Sequence, residues 1–398
     1  MKDDFVKKEL ADENNISVID LVNGLIEEAH NKGASDVHID PSPFDMKVRF
    51  RVDGVLRDMY DIPRSISQEV VSRIKVLSSL RTDEHHSTHD GRFRINLSHG
   101  KPVDIRVSIA PTYHGENVVL RILSESDERF SLDNLGFNKK DQTKILEAIH
   151  KPSGMVLITG PTGSGKTTTL YTLVQMLNCK EISIITIEDP IEYAITGVEQ
   201  IQVNHRTNLT FATGLKAILR QDPNIIMVGE IRDGETASIA VNTALTGHLL
   251  LSTLHTNDSA TTLPRLLDMK IESFLVASTI NIAIGQRLVR KICEHCKFKI
   301  KANKEMTKLT KSIKSQIYVY EGKGCEDCGG TGYSGRLCIN EVLVVNDEIR
   351  SAILNRASAG EIKQIAVKNG MTTMLEDGVA KVLDGQTTLQ EVLRVVHG

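Results

Sequence analysis

The chain has 398 residues, 40% apolar and 25% charged, which calls for more than one folded domain and leaves little room for disorder. Its formal net charge of -3 argues against a protein built to bind along nucleic acid through a basic surface, and no tryptophan is present as an aromatic anchor. No uninterrupted apolar stretch is long enough to cross a bilayer, and Met1-Lys2-Asp3-Asp4 opens a charged segment instead of a signal peptide. The reading is a cytoplasmic protein that reaches any membrane through a partner, without direct membrane insertion.

Residues 1–125 read as a mixed α/β domain. Val18, Leu21, Val22, Leu25, Ile26 and Ala29 recur at helical spacing, and Asn31-Lys32-Gly33 supplies a stop. Strands are predicted over 36–39 and 46–52 ahead of a turn at Asp53-Gly54, then a helix over 68–80, then strands over 91–96, 102–108 and 117–123. The polar run 124–129 is the natural linker, and 126–150 leads through a helix into the second domain.

From 151 to 290, short apolar strands over 155–159, 182–187, 225–228 and 248–254 alternate with helices, the pattern of a parallel sheet wrapped by helices. Two of those helices have clear stops, 211–221 at Asp222-Pro223 and 235–246 at Gly247. Residues 291–340 carry four of the six cysteines as Cys293-Glu294-His295-Cys296 and Cys325-Glu326-Asp327-Cys328, with 28 residues between the pairs. Residues 341–398 read as helical, and Thr388 followed by Glu391 fits a capping box on the last helix.

Between the strand 155–159 and its helix lies Gly160-Pro161-Thr162-Gly163-Ser164-Gly165-Lys166-Thr167, followed by Thr168. This is the phosphate-loop pattern in its required context. Its glycines let consecutive N–H groups curl around phosphates, and the helix N-terminus adds partial positive charge. Lys166 is expected at the β- and γ-phosphates of ATP, and the Thr167 hydroxyl on Mg²⁺. Hydrolysis also needs a carboxylate to orient or deprotonate water. Candidates leave the same sheet edge at Glu188-Asp189-Pro190-Ile191-Glu192 and at Glu230, where Gly229 stands in the place usually held by Asp. His255 ends the strand 248–254 as a candidate hydrogen-bonding sensor, whereas His248 begins it and reads equally well as structural.

The paired cysteines suit a closed tetrahedral Zn²⁺ site of four thiolates, with redox pairs or a free-thiol core as the alternatives. Three further histidines, His85, His86 and His89, share one loop, where solvation is the commoner fate.

Taken in order, Gly160 to Thr167, Thr186 to Glu192, Leu219 to Asp233 and Thr246 to Asn257 resemble the Walker A, Asp, Walker B and His boxes of the type II/type IV secretion ATPase superfamily. The resemblance extends to Ala34-Ser35-Asp36-Val37-His38-Ile39, Phe50-Arg51-Val52-Asp53-Gly54-Val55-Leu56 and Gln286-Arg287-Leu288-Val289-Arg290, so it spans nearly the whole chain. In that family a Gly before the Walker B Glu is usual. The resemblance implies a RecA-like ATPase domain preceded by a PAS-like domain, a zinc-ribbon insertion and a helical tail. It further implies a homo-hexameric ring with ATP held between the two domains, Arg106 and Arg121 closing on the γ-phosphate, and Glu230, Glu188, Glu192 and His255 completing the site.

Its implied partners are an inner-membrane platform protein and the cytoplasmic domain of a membrane-anchored secretion or pilus component. The tetracysteine element, with Gly329 to Arg336 after it, resembles the assembly members more than the retraction ATPases, which usually lack the cysteines. The implied activity is ATP hydrolysis driving pseudopilus or pilus assembly. The competing reading is a nucleic-acid-dependent translocase, or the motor of a DNA-uptake pilus. Two departures stand out: the Ala34 motif begins too early for the extra N-terminal domain of longer members, so a short form is expected, and Glu84 to Arg92 is histidine-rich where relatives are basic and contain proline.

Overall fold

In the computed structural model, which describes residues 5–11, 16–98, 100, 102–123, 131–302 and 318–396, the chain divides into two units, 1–127 and 128–398. The first holds α1 (Phe5–Ala11), α2 (Val18–Asn31), β1 (Ala34–Pro41), β2 (Asp45–Val52), β3 (Val55–Pro63), α3 (Arg64–Leu77), β4 (His89–Asn96), β5 (Pro102–Thr112) and β6 (Gly115–Leu123). Its six strands form an antiparallel sheet in the order β3-β2-β1-β6-β5-β4.

Alternation makes this sheet two-faced. Val103, Ile105, Val107 and Ile109 of β5 are buried with the apolar stripes of α2 and α3, while Asp104 and Arg106 point the other way. The Asp53-Gly54 turn has positive φ at both residues, 50° and 82°, the geometry that a two-residue hairpin needs. Helix α3 starts earlier than its spacing suggests and stops at Leu77, two residues before Ser79 turns to φ 55°. Strand β3 escapes the sequence pattern because it is an edge strand in which Ile62 alone is buried. The predicted linker 124–129 lies outside the described residues.

The second unit runs α4 (Lys139–Ile149), β7 (Gly154–Thr159), α5 (Lys166–Leu177), β8 (Ile184–Glu188), β9 (Glu199–Gln202), α6 (Phe211–Ile218), β10 (Ile225–Val228), α7 (Gly234–Leu245) and β11 (Leu249–Leu254). It continues through α8 (Thr262–Asp268), α9 (Ser273–Thr279), β12 (Ile280–Ile292), β13 (Lys297–Lys301), β14 (Tyr318–Gly322) and β15 (Tyr333–Val344). Helices α10 (Asp347–Leu354), α11 (Ala359–Lys368), α12 (Met374–Leu383) and α13 (Leu389–Val396) follow.

The main sheet has the order β15-β12-β7-β11-β10-β8-β9. Six strands are parallel, including the four expected within 151–290, and β15 from beyond that range pairs antiparallel with β12, so the sheet as a whole is mixed. The reason is non-local: a long hairpin-like excursion at β13 and β14 returns the chain onto the same sheet. β7, β8, β10 and β11 are buried along their whole length between two apolar layers, which explains their unbroken hydrophobic runs.

Two boundaries differ from expectation. Helix α6 ends at Ile218, before Asp222 adopts φ 51°, and β8 extends far enough to include Glu188. The capping box on α13 is half formed. Thr388 Oγ accepts the Glu391 N–H at 3.3 Å, but the Glu391 carboxylate turns to Arg290 and Arg394. No helix among the described residues is long and apolar enough to cross a membrane.

Candidate functional site

The parallel strands β7, β8, β10 and β11 deliver their C-terminal ends to one edge of the sheet, and the candidate catalytic groups of this unit collect there. After β7 the loop turns through Gly160, Gly163 and Gly165 with φ of 151°, 76° and 86°. A Cβ at Gly160 would lie 2.4 Å from the Gln286 carbonyl, and one at Gly165 would lie 2.8 Å from Gln286 Nε2. Glycine is therefore required twice over, by conformation and by space.

Lys166 opens α5, is buried, and donates from Nζ to the Gly160 and Pro161 carbonyls at 2.9 Å each. Burial pushes its pKa below the ordinary lysine value, Glu230 pulls it up, and Arg287 pushes it further down. Ser164 Oγ is buried without a hydrogen-bond partner. A loop with an orphaned hydroxyl, and a lysine spending its charge on its own carbonyls, fits an anion such as a triphosphate. Pro161 and Thr162 are exposed on the same loop, and Thr167, exposed, and Thr168, half-buried, follow Lys166 on α5.

Glu230 stands two residues beyond β10. Its Oε1 accepts from Arg232 Nη2 at 2.7 Å, and its Oε2 lies 3.1 Å from His255 Nε2, just after β11. Burial raises its pKa, but Arg232 and His255 outweigh that, and the carboxyl is held below its ordinary value. Glu230 and His255 thus meet across the ends of β10 and β11. His248 does not join them: it sits at the opposite end of β11, its Nδ1 3.2 Å from the Thr243 carbonyl.

Glu188 is 3% exposed and accepts three side-chain hydrogen bonds, from the Tyr171 hydroxyl, from Thr186 Oγ at 2.6 Å and from Gln200 Nε2 at 3.1 Å. It is locked into the fold. The Asp189-Pro190 peptide bond is cis, Asp189 lies 3.8 Å from Arg232 Nη1, and the Glu192 N–H donates to the Tyr171 hydroxyl at 3.1 Å.

Gln286 and Arg287 on β12 carry roles that residue-by-residue reading missed. Gln286 is fully buried, donates from Nε2 to the Ser164 carbonyl at 2.8 Å and accepts from Thr169 Oγ at 2.9 Å, so it braces the phosphate loop from the neighbouring strand. The available signal was a glutamine at the end of the apolar run Ile280 to Ile284, since a buried amide must find partners.

The four cysteines lie between β12 and β15 with all their sulfurs within 4.8 Å of one another. Cys293–Cys325, Cys296–Cys328 and Cys325–Cys328 Sγ separations are 3.8, 3.9 and 3.7 Å. Tetrahedral thiolate coordination with bonds of about 2.3 Å puts sulfurs about 3.8 Å apart, so the set fits one metal ion. Backbone N–H groups of Gly324, Cys325 and Gly332 already aim at Cys296 and Cys328 at 3.2 to 3.3 Å, as donors to thiolates do.

Arg106 and Arg121 belong to the first unit. They face each other across β5 and β6, and Arg121 Nε is 3.1 Å from Asp36 Oδ1. His85 pairs with Glu116 at 2.8 Å and His89 with the Glu84 carbonyl at 3.2 Å, so two of the three histidines there are engaged by protein partners.

The solved structures of the pilus retraction motor PilT with bound ADP and of the Legionella pneumophila ATPase DotB resemble this chain. PilT has a TM-score of 0.63 at 27% identity, with 94% of this chain and 96% of that one covered. DotB has 0.69 at 23% identity, with 94% and 95% covered, and so speaks for the fold alone. Among curated relatives, type II secretion system protein E of Xanthomonas campestris pv. campestris is 47% identical over 96% of this chain. The type IV pilus assembly ATPase PilB of Myxococcus xanthus is 44% identical over 94% of it. The chain spans 67% of the length of each of these two. The family model described as type II/IV secretion system protein matches residues 11–394, and the chain belongs to that family.

Proposed function

We propose that this chain is the ATP-hydrolysing motor of pseudopilus or pilus assembly, serving type II protein secretion or type IV pilus extension. The observation that carries the reading is the convergence of the Lys166 loop and the Glu230–His255 pair on one sheet edge, in a chain 44% and 47% identical to a pilus assembly ATPase and a type II secretion protein. The reaction is ATP and water going to ADP and phosphate.

The loop Gly160 to Thr168 would hold the triphosphate through its N–H groups and Lys166, and Thr167 and Glu192 are the residues proposed to hold Mg²⁺. That ion supplies charge neutralisation at the phosphates. Glu230, kept ionised by Arg232 and His255, would orient and deprotonate the attacking water. Glu188 keeps the acidic segment in shape through Tyr171, Thr186 and Gln200. Arg106 and Arg121 would contribute positive charge when the first unit, a PAS-like domain, closes on the RecA-like second unit. We assign Zn²⁺ to the four cysteines as a structural ribbon, and a homo-hexamer bound peripherally at the inner membrane through a platform protein and a membrane-anchored component.

Steady-state phosphate release tests this reading, with one zinc per chain expected in the same preparation by atomic absorption. Lys166→Ala and Glu230→Gln should each lower kcat at least about a hundredfold. Activity that survives both substitutions would sink the enzymatic assignment, and stimulation by DNA would turn it toward a nucleic-acid translocase.

A further inference from the structure

Arg287 occupies a position that the hydrolytic reading above leaves unused. It follows Gln286 on β12, the strand flanking the phosphate-loop strand on the side opposite β11. Its Nη1 donates to the Gln286 carbonyl at 3.2 Å, the same carbonyl that leaves no room for a Cβ at Gly160. Its Nη2 donates to the Asn257 carbonyl at 2.8 Å, two residues after His255. One guanidinium therefore spans the backbone beside the phosphate loop and the backbone just beyond the candidate sensor.

His255 depends on such support. Its side chain is half exposed and meets Glu230, so the backbone that follows sets where the imidazole stands. That backbone is tied down at three points within four residues. Thr256 is held by Thr159, whose hydroxyl donates to its carbonyl at 2.9 Å and accepts its N–H at 3.1 Å. Asn257 is held by Arg287. Ser259 is held by the fully buried Glu341 of β15, which accepts its N–H at 3.0 Å and its hydroxyl at 2.8 Å. Asp258, between them, pairs with Lys363 of α11 at 3.2 Å. Of the three ties, the one through Arg287 also touches the strand that braces the phosphate loop.

We propose that Arg287 is a positioning residue that joins the phosphate loop to the His255 segment, so that the Glu230–His255 pair keeps its place relative to the bound phosphates. Burial pushes its pKa below the ordinary arginine value, Glu341 and Asp258 pull it up at longer range, and Lys166 repels it, while the guanidinium makes two directed bonds. A planar guanidinium can hold two carbonyls at fixed angles, which an ammonium cannot do. The proposal rests on the hydrolytic reading for its rate effect and on geometry alone for its spectroscopic effect.

The test compares Arg287→Ala, Arg287→Lys and His255→Ala in the full chain, with Lys166→Ala and Glu230→Gln as references. Arg287→Ala should lower kcat about tenfold with the affinity for a fluorescent ATP analogue within about threefold of the parent, because misplacing a group costs rate more than binding. Arg287→Lys should recover only part of that loss. The double variant Arg287→Ala with His255→Ala should be no slower than His255→Ala, since both act through one imidazole. Independently of turnover, selectively labelled His255 ring signals in Arg287→Ala should move toward their positions in Glu230→Gln. Unmoved ring signals, multiplicative losses in the double variant, or a loss of nucleotide affinity as large as that of Lys166→Ala would each overturn the proposal. Absent activity in the parent would count against the hydrolytic reading, with the ring signals still deciding the role of Arg287.

Discussion

At the residue scale, the two strand-end glutamates have been given different work by their surroundings. Glu188 is enclosed by three donors, whereas Glu230 faces Arg232 and His255 at the half-open edge. Replacing one Glu188 oxygen with an amide in Glu188→Gln sets donor against donor in a buried cluster, which should cost about 1–3 kcal/mol of stability. Its kcat should fall less than about tenfold, while Glu230→Gln, which leaves that cluster untouched, should show the opposite balance of intact stability and a loss of about a hundredfold or more. Urea unfolding alongside steady-state rates separates the two, and a rate collapse in a stable Glu188→Gln would assign the chemistry to Glu188 instead. The sequence alone placed both carboxylates at the sheet edge. It was silent on which one points into the fold, because the deciding donors Tyr171 and Gln200 sit 17 and 12 residues away on the neighbouring α5 and the weakly patterned β9, and their convergence on Glu188 is a matter of packing.

At the element scale, β12 carries more of the second unit than its length suggests. It passes Gln286 at the phosphate loop and Arg290 and ends at Ile292, one residue before Cys293 of the four-cysteine cluster. Arg290 lies 4.1 Å from the Tyr333 ring centroid, and it meets the buried Glu391 of α13 through both its backbone N–H and its guanidinium. Burial alone would raise the Glu391 pKa, but the bonds from Arg394 and Arg290 bring it down to about 2 from an ordinary 4.5. A carboxyl depressed in the folded state adds stability that is complete above the unfolded value and lost as pH falls toward the folded one. Glu391→Gln should therefore melt below the parent at pH 7, and the gap should close between pH 4.5 and about 2; a gap that persists unchanged to pH 2 would show that packing, not charge, holds α13. The central strands were legible because burial on both faces leaves them continuously apolar, as in Met155 to Ile158. The β12–β15 pairing was not, since its partners are separated by the cysteine excursion. Likewise β9, only half-buried, carries no pattern that a reading of hydrophobicity can find.

At the scale of the whole molecule, the sheet of the first unit presents a lateral row of charge that its hydrophobic alternation makes inevitable. Cross-strand register aligns Arg51, Asp36, Arg121, Arg106 and Arg92 on β2, β1, β6, β5 and β4, on the face away from α2 and α3. The single carboxylate in that row, Asp36, is 6% exposed and is approached by Arg121 at 3.1 Å and by Arg51 at 3.5 Å. Arg121 nonetheless stays 58% exposed, so it is oriented by Asp36 without being buried by it. An arginine held this way is preorganised for an anion such as a phosphate. If that is its use, Arg121→Ala and Arg106→Ala should each lower kcat about a hundredfold or more while nucleotide affinity, which we propose the Lys166 loop sets, changes little. Arg121→Lys should recover little, because an ammonium on a flexible stem loses the planar contact with Asp36. Equilibrium binding of a fluorescent ATP analogue measured beside turnover decides the matter. Variants that hydrolyse ATP at the parent rate would confine the row to a structural role within the first unit, and variants that lose binding and turnover in equal measure would assign these arginines to nucleotide binding instead of to the chemical step.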